Sequence, residues 1–335
     1  MILKAAFAHL TVAVVADDIT VRSLASCCQV VNLGTLDWYW KLPLYRPDML
    51  LVESAWRGKG NSWRYKIASY PGRSSGRESL RRLVSYARGL GIPTIFWNKE
   101  DGIYFDRFID SARLFDYVFT VDAQCLSKYR AVLGSTTKVD WLGFAVDDSL
   151  HHFTGFNFKH HRAVFAGGCY GGEFPRRRYW QNLLFGGACR SGLGLTVIDR
   201  HSALPDPRFR FLPRDGMELL PAVAYDKTPQ LYRDFLVSLN VNTIEDSPTM
   251  CSRRLLEILA CGGIAVTNPS LSVEKAFKEF CYTPQDDAEA VELFARLRQG
   301  PSAMDLERAR AGALFIKENH TWQHRLQQLV TAVGL

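Results

Sequence analysis

Residues 242–263, Asn-Thr-Ile-Glu-Asp-Ser-Pro-Thr-Met-Cys-Ser-Arg-Arg-Leu-Leu-Glu-Ile-Leu-Ala-Cys-Gly-Gly, carry the chain's most informative spacing. They read as a loop feeding a short helix closed by Gly262 and Gly263. At about 100° per residue, Arg253, Arg254 and Glu257 share an arc of roughly 100°, while Leu255, Ile258 and Leu259 point into a core. Two guanidiniums near a helix start suit a diphosphate, because free N–H groups and the helix dipole already favour an anion there. A carboxylate one turn further on can accept from the vicinal hydroxyls of a ribose. Ser247, Thr249 and Met250, in the loop before the helix, are counted with this candidate donor site. The competing reading is an Arg253–Glu257 surface pair at i,i+4 spacing, worth about 0.3–0.5 kcal/mol.

A second motif strengthens the first. Val-Phe-Ala-Gly-Gly-Cys-Tyr-Gly-Gly-Glu-Phe-Pro-Arg-Arg-Arg reads as a strand, a loop with Gly167, Gly168, Gly171 and Gly172, and a helix opening on Arg176, Arg177 and Arg178. Glycine lets the backbone approach a ligand, and the helix start can hold phosphate. Arg176 is the donor-site candidate of the three. Leu219–Asp226, with Tyr225, is where a nucleobase is expected to lie.

In the first half of the chain, predicted strands end in acids: Asp17 and Asp18, Glu53, Glu100 and Asp101, and Asp122. Ligands of open parallel sheets bind beyond the carboxyl ends of the strands, so these acids are expected to share one rim and to supply a general base. Glu53 and Asp101 rank ahead of Glu100 and Asp17; the alternative for each is a helix cap. Trp56, Arg57 and Trp63 follow Glu53, and Trp97, Asn98 and Lys99 precede Glu100. These are the expected acceptor-binding residues. No GxGxxG follows the first strand, and no HExxH, P-loop, kinase signature or Ser-His-Asp order occurs. His151, His152, His160 and His161 share no acid or cysteine at ligand spacing, so no metal site is expected.

The elements that must position these residues follow from periodicity. Apolar runs at Leu10–Ala16, Met49–Val52, Ile92–Trp97, Tyr117–Val121 and Lys138–Leu142 alternate with amphipathic stretches such as Ser79–Leu90, the pattern of a parallel sheet covered by helices. A polar, histidine-rich run at 147–161 reads as a linker. A second strand set then begins: Ala163–Ala166, Leu193–Ile198, Leu236–Val241 and Gly263–Thr267. Helices are expected at Gln230–Phe235, Val273–Phe280, Ala288–Gln299, Met304–Lys317 and about His320–Val333. The fold class is therefore α/β, with two Rossmann-like domains facing across a cleft: 1–155 on the acceptor side, 156–318 on the donor side, and a C-terminal helix, 319–335, crossing back to the first.

Composition agrees. The 335 residues are 47% hydrophobic and 22% charged, with net charge +7 and basic residues that read as scattered, with local clusters at Arg176–Arg178 and Arg253–Arg254. Phosphorylated small molecules or an anionic membrane surface fit that charge as well as nucleic acid does. The apolar start, residues 1–16, has the look of a signal peptide but is broken by His9 and ended by Asp17 and Asp18, so it reads as a first strand. No apolar run reaches the length of a membrane span. Eight cysteines without a CxxC pair are read as reduced thiols of a cytoplasmic protein.

Glu53-Ser-Ala-Trp-Arg-Gly, Ile92-Pro-Thr-Ile-Phe-Trp-Asn-Lys-Glu-Asp, Phe115-Asp-Tyr-Val-Phe-Thr-Val-Asp, Phe165-Ala-Gly-Gly, Ser247-Pro-Thr-Met-Cys-Ser-Arg-Arg-Leu-Leu-Glu-Ile-Leu-Ala-Cys-Gly and His320-Thr-Trp-Gln-His-Arg together resemble the CgeB-type spore-maturation glycosyltransferases. The blocks run in order along nearly the whole chain. The resemblance implies a GT-B glycosyltransferase with a nucleoside-diphosphate sugar such as a UDP-sugar as co-substrate, no cofactor, and a glycan, lipid-linked or other hydroxyl acceptor. Peripheral membrane association fits this reading, and nucleic acid is not an obligatory partner. Glu257 resembles the ribose-contacting glutamate of retaining GT-B enzymes, whose first glutamate stands eight positions upstream. Thr249 occupies that position here, with Glu245 and Asp246 nearby. The rival readings are a nucleotide-sugar epimerase or phosphorylase on the same fold, and a non-enzymatic nucleic-acid or carbohydrate binder.

Overall fold

The computed structural model describes residues 6–72 and 76–335, so Met1–Ala5 of the apolar start lie outside the described residues. The chain divides into two compact units. The first comprises Met1–Asp147, Pro248–Met250 and Thr321–Leu335, and the second Asp148–Ser247 and Cys251–His320. The division thus falls within the run read as a linker, eight residues before the expected boundary, and residues 160 and 161 already belong to a strand.

In the first unit β1 (Thr11–Val15), β2 (Gln29–Asn32), β3 (Met49–Glu53), β4 (Thr94–Asn98), β5 (Tyr117–Thr120) and β6 (Lys138–Trp141) form one sheet in the order β2-β1-β3-β4-β5-β6. All pairs are parallel. The strands read as apolar runs because both sheet faces are covered, and alternate residues divide between two cores. Ala13, Val15, Leu50, Val52 and Phe96 enter one, with Leu80, Leu83, Val84 and Ala87 of the Glu78–Gly89 helix at 3.6-residue spacing. Val12, Val14, Leu51, Ile95 and Trp97 enter the other, closed by Trp322, Leu326 and Leu329 of the Trp322–Val333 helix.

The second unit repeats the plan with β7 (His160–Gly167), β8 (Leu195–Asp199), β9 (Met217–Pro221), β10 (Phe235–Leu239), β11 (Ile264–Val266) and β12 (Cys281–Tyr282), ordered β12-β11-β10-β7-β8-β9. These pairs are parallel too. The Pro175–Arg190 helix approaches the Asp287–Arg298 helix at Gly187, where an added Cβ would meet that of Ala290 at 2.9 Å. Three strands lie outside the sequence expectation: β2, β9 and β12. They are edge or near-edge strands of two to five residues, too short or too exposed to show a period.

Candidate donor and acceptor sites

In the second unit, β7 ends at Gly167, β8 gives way to Arg200 and β10 to Asn240, so these residues meet at the carboxyl edge of the sheet. Arg254, second residue of the Arg253–Ala260 helix, reaches this edge. Its Nε donates to the carbonyl of Ala166 at 2.5 Å, its Nη1 to Asn240 Oδ1 at 3.4 Å, and its guanidinium lies 4.6 Å from the Phe165 ring centroid. The helix start is fixed by Asn242, whose Oδ1 accepts from the N–H of Ser252 at 2.7 Å. Asn242 and Asn240 are buried and linked to Thr267 by hydrogen bonds.

Two further arginines join Arg254. Arg177 is buried and donates from Nη1 to the carbonyl of Val241 at 2.6 Å and to Thr243 Oγ1 at 3.2 Å. Arg200 donates to the Tyr170 hydroxyl at 2.5 Å, and the Tyr170 ring lies 5.4 Å from the Arg177 guanidinium and 5.8 Å from that of Arg200. Burial first, and the charge of Arg254 second, bring the Arg177 pKa down to about 10. Burial also lowers that of Arg254, with Tyr232, Tyr170 and Glu257 opposing and Arg200 adding to the effect. Among the described residues none of the three forms an ion pair with a carboxylate; their fixed partners are carbonyls, side-chain oxygens and rings. Three cations that repel one another at a strand edge, with no carboxylate at ion-pair distance among the described residues, form a site for a multiply charged anion.

Arg253 and Glu257 take a different part. Arg253 Nε and the Tyr225 hydroxyl each donate to Glu257 Oε1 at 2.9 Å, and Glu257 is buried. The i,i+4 pair therefore forms, yet it is anchored by Tyr225 rather than loose on the surface, and Oε2 takes no donor among the described residues. Arg176 is exposed and pairs with Glu245 through both Nε and Nη2, at 3.2 and 2.7 Å. Of the three consecutive arginines it is thus Arg177, not the expected Arg176, that faces the strand edge. A buried row at 177, 180, 181, 184 and 188 carries this signal in helical spacing. Arg200 was not anticipated. Gly167 and Gly168 do border the basic edge: a Cβ on Gly168 would meet the His201 ring at 2.6 Å.

Thr249 and Met250 group with the first unit instead. Thr249 Oγ1 accepts from the N–H of Ala123 at 2.9 Å and donates to the carbonyl of Val121 at 3.1 Å, just beyond β5. Met250 packs on the Trp97 core, and Ser247 is fully buried.

The acids of the first unit do gather at one sheet edge, but they differ sharply. Glu53 is fully buried: Oε1 accepts from the N–H of Asp17 at 2.6 Å and from Lys99 Nζ at 3.0 Å, and Oε2 from Thr20 Oγ1 at 2.6 Å. Such a carboxylate staples strand ends and has little room to take a proton from a substrate. Asp101 is equally buried, held by Asn98 Nδ2 (2.7 Å), Thr120 Oγ1 (2.7 Å) and the Tyr129 hydroxyl (2.9 Å); burial pushes its pKa up to about 7. Asp17 accepts from the N–H groups of Trp56, Arg57 and Gly58 at 2.8–3.3 Å; burial opposes but Lys99 and these donors hold its pKa below the usual carboxylate range. Glu100, like Asp17, is half-buried. Burial raises its pKa, Lys99 and a hydrogen bond with Trp56 offset part of the rise, and Glu53 and Asp17 add to it.

Of the expected acceptor residues, Trp56, Arg57 and Lys99 lie at this edge. Trp63 and Trp97 are core, their indoles donating to the carbonyls of Leu33 at 2.8 Å and Leu142 at 2.9 Å, and Asn98 is buried in the Asp101 cluster. Among the described residues no three His, Cys, Asp or Glu side chains form a metal-ligating group. No helix among them is long and apolar enough to cross a membrane.

Two all-parallel, Rossmann-like units in one chain are the GT-B architecture. The chain is similar to an α-glucosyltransferase solved with UDP and a 13-mer DNA, at 10% identity over 97% of this chain and 99% of that one, with a TM-score of 0.66. It is also similar to T4 phage BGT solved with UDP and Mn2+ (10% identity, 97% and 99% covered, TM-score 0.58). Sucrose-phosphate synthase from Thermosynechococcus elongatus is a third neighbour (11%, 97% and 98%, 0.55). Residues 195–331 match the family model described as glycosyl transferase-like. No curated protein sequence matches the chain. The glycosyl transferase-like match falls mostly in the second unit, and the fold of the whole is that of these solved glycosyltransferases.

Proposed function

We propose that the protein moves a sugar from a nucleoside-diphosphate donor, held by the second unit, to a hydroxyl of an acceptor held by the first. The reading rests on one observation above all: Arg177, Arg200 and Arg254 converge at the carboxyl edge of the second sheet without a carboxylate partner. They supply preorganised charge to the diphosphate as it leaves, in place of a metal ion. Glu257 Oε2 takes the ribose hydroxyls, with Tyr225 and Arg253 holding the carboxylate in place. Solved neighbours in complex with UDP support uridine as the donor base.

In the first unit Glu100 replaces Glu53 and Asp101 as the base for the acceptor hydroxyl, since it is half-buried rather than fully buried and, unlike the equally half-buried Asp17, has a raised pKa that makes it a better proton acceptor. That assignment makes the transfer inverting. The blocks quoted above support membership of the CgeB-type subfamily, and the eight free thiols support a cytoplasmic site of action. A screen of nucleotide sugars by thermal shift and nucleoside-diphosphate release tests the donor assignment. Stabilisation and release with at least one donor are expected; a flat response across uridine, guanosine and thymidine sugars defeats it.

A further inference from the structure

In the first unit the Trp38–Tyr45 helix turns its apolar face outward. Its one charged side chain points inward: Lys41 Nζ donates to the carbonyl of Asn32 at 2.9 Å and to Asp37 Oδ2 at 2.7 Å. Leu42 enters the core, and Trp38 packs against it. Tyr39, Trp40, Pro43 and Leu44 share one helical face and are all exposed, as are Leu36 just before the helix and Tyr45 at its end. Leu36 is 86% exposed and Leu44 63%, while Leu42 between them is fully buried. An apolar stripe of helical period ordinarily faces a core; this one faces out. The surface continues onto the Glu78–Gly89 helix, where exposed Tyr86 meets the Trp38 ring at 5.5 Å and exposed Leu90 follows one turn on.

Cations border this surface. Lys41 and Lys59 both pair with Asp37 Oδ2, at 2.7 and 2.6 Å, and Lys41 Nζ lies 5.6 Å from the Trp40 ring centroid. Arg46, exposed at the helix end, pairs with no carboxylate among the described residues, so Lys41, Lys59 and Arg46 outweigh Asp37. Arg81 and Arg82 likewise share Glu78 at the start of the neighbouring helix.

We infer that this face is the docking surface for an anionic phospholipid bilayer. Tyrosine and tryptophan rings settle at headgroup depth, the leucines beside them reach the acyl boundary, and the surplus cations answer the lipid phosphates. A second copy of the chain is a poorer occupant, because a two-turn helix with Leu36, Tyr86 and Leu90 falls well short of the roughly 20–30 residues a side in a stable protein interface. The inference goes beyond the transfer reaction proposed above and stands independently of it.

The test is flotation of the full chain with phosphatidylcholine vesicles, with and without phosphatidylglycerol. Binding to the anionic vesicles is expected, with little to the neutral ones. Leu36→Ser/Leu44→Ser should lower the partition coefficient roughly ten-fold by removing two inserted apolar side chains, and Arg46→Gln should lower it roughly five-fold at low salt. An unchanged urea-unfolding midpoint shows that the variants are folded, and UDP binding, read separately, keeps failure of the donor site distinct from failure of this surface. Equal partition of wild type and the double-leucine variant overturns the proposal. Equal binding to neutral and anionic vesicles overturns it too, as does a wild-type dimer in sedimentation velocity that the double-leucine variant lacks.

Discussion

Arg254 occupies the space that a side chain at position 167 would need: a Cβ built on Gly167 meets Arg254 Nη2 at 2.6 Å and the Phe165 ring at 2.8 Å. The glycine at the end of β7 is thus the condition for an arginine at the strand edge. Gly167→Ala should displace the guanidinium from the Ala166 carbonyl and weaken nucleoside-diphosphate binding by ten-fold or more, measured by calorimetry, while the circular-dichroism spectrum is retained.

Removing the guanidinium itself should cost more. Arg254→Ala is expected to weaken UDP binding by about 1.5–3 kcal/mol, the range of a hydrogen bond to a charged group. Arg254→Lys should restore little, since an ammonium lacks the planar fork that engages Ala166, Asn240 and a phosphate together.

Glu100→Gln should abolish transfer while leaving UDP affinity unchanged. In the wild type, kcat/KM should fall as pH drops through the raised Glu100 pKa, because the base must be ionised to accept the proton. Persistence of transfer in the variant would assign retaining chemistry to the enzyme.

Glu53→Ala should act on stability instead. It leaves Lys99 with a longer contact to Asp17 at 3.6 Å and strips partners from Thr20 and the Asp17 N–H, an expected loss of about 3–5 kcal/mol in urea unfolding.

Asp101 gives a pH signature of opposite sign to the usual acid. Its folded pKa, about 7, lies above its unfolded value, so between about pH 4 and pH 7 the native state binds the extra proton and stability falls as pH rises. The slope contributed is at most about 1.4 kcal/mol per pH unit. Urea titrations of Asp101→Asn should lose that slope over this window.

Much of this was legible from pattern. The central strands announced themselves as apolar runs because helices cover both of their faces, and the Glu78–Gly89 helix showed its 3.6 period because only one face is buried. The acids at strand ends and the Arg253–Glu257 spacing were also visible. Which acid stays accessible was not, since Glu53 and Glu100 differ only in what folds over them: Thr20, Asp17 and Lys99 are 33, 36 and 46 residues from Glu53. The choice of Arg177 over Arg176 needed the phase of a helix, and Arg200 needed the neighbour of β8 to be known.

The Trp322–Val333 helix closes one face of the first sheet, with Trp322 edge-on to Trp97 at 5.6 Å. During synthesis the first six strands therefore leave the ribosome with Trp97, Ile95 and Phe119 uncovered until some 180 further residues have been made. The first unit is the first to be started and the last to be finished, so an excised 1–147 fragment is expected to aggregate, and exchange of the two units between homologues requires more than one splice point.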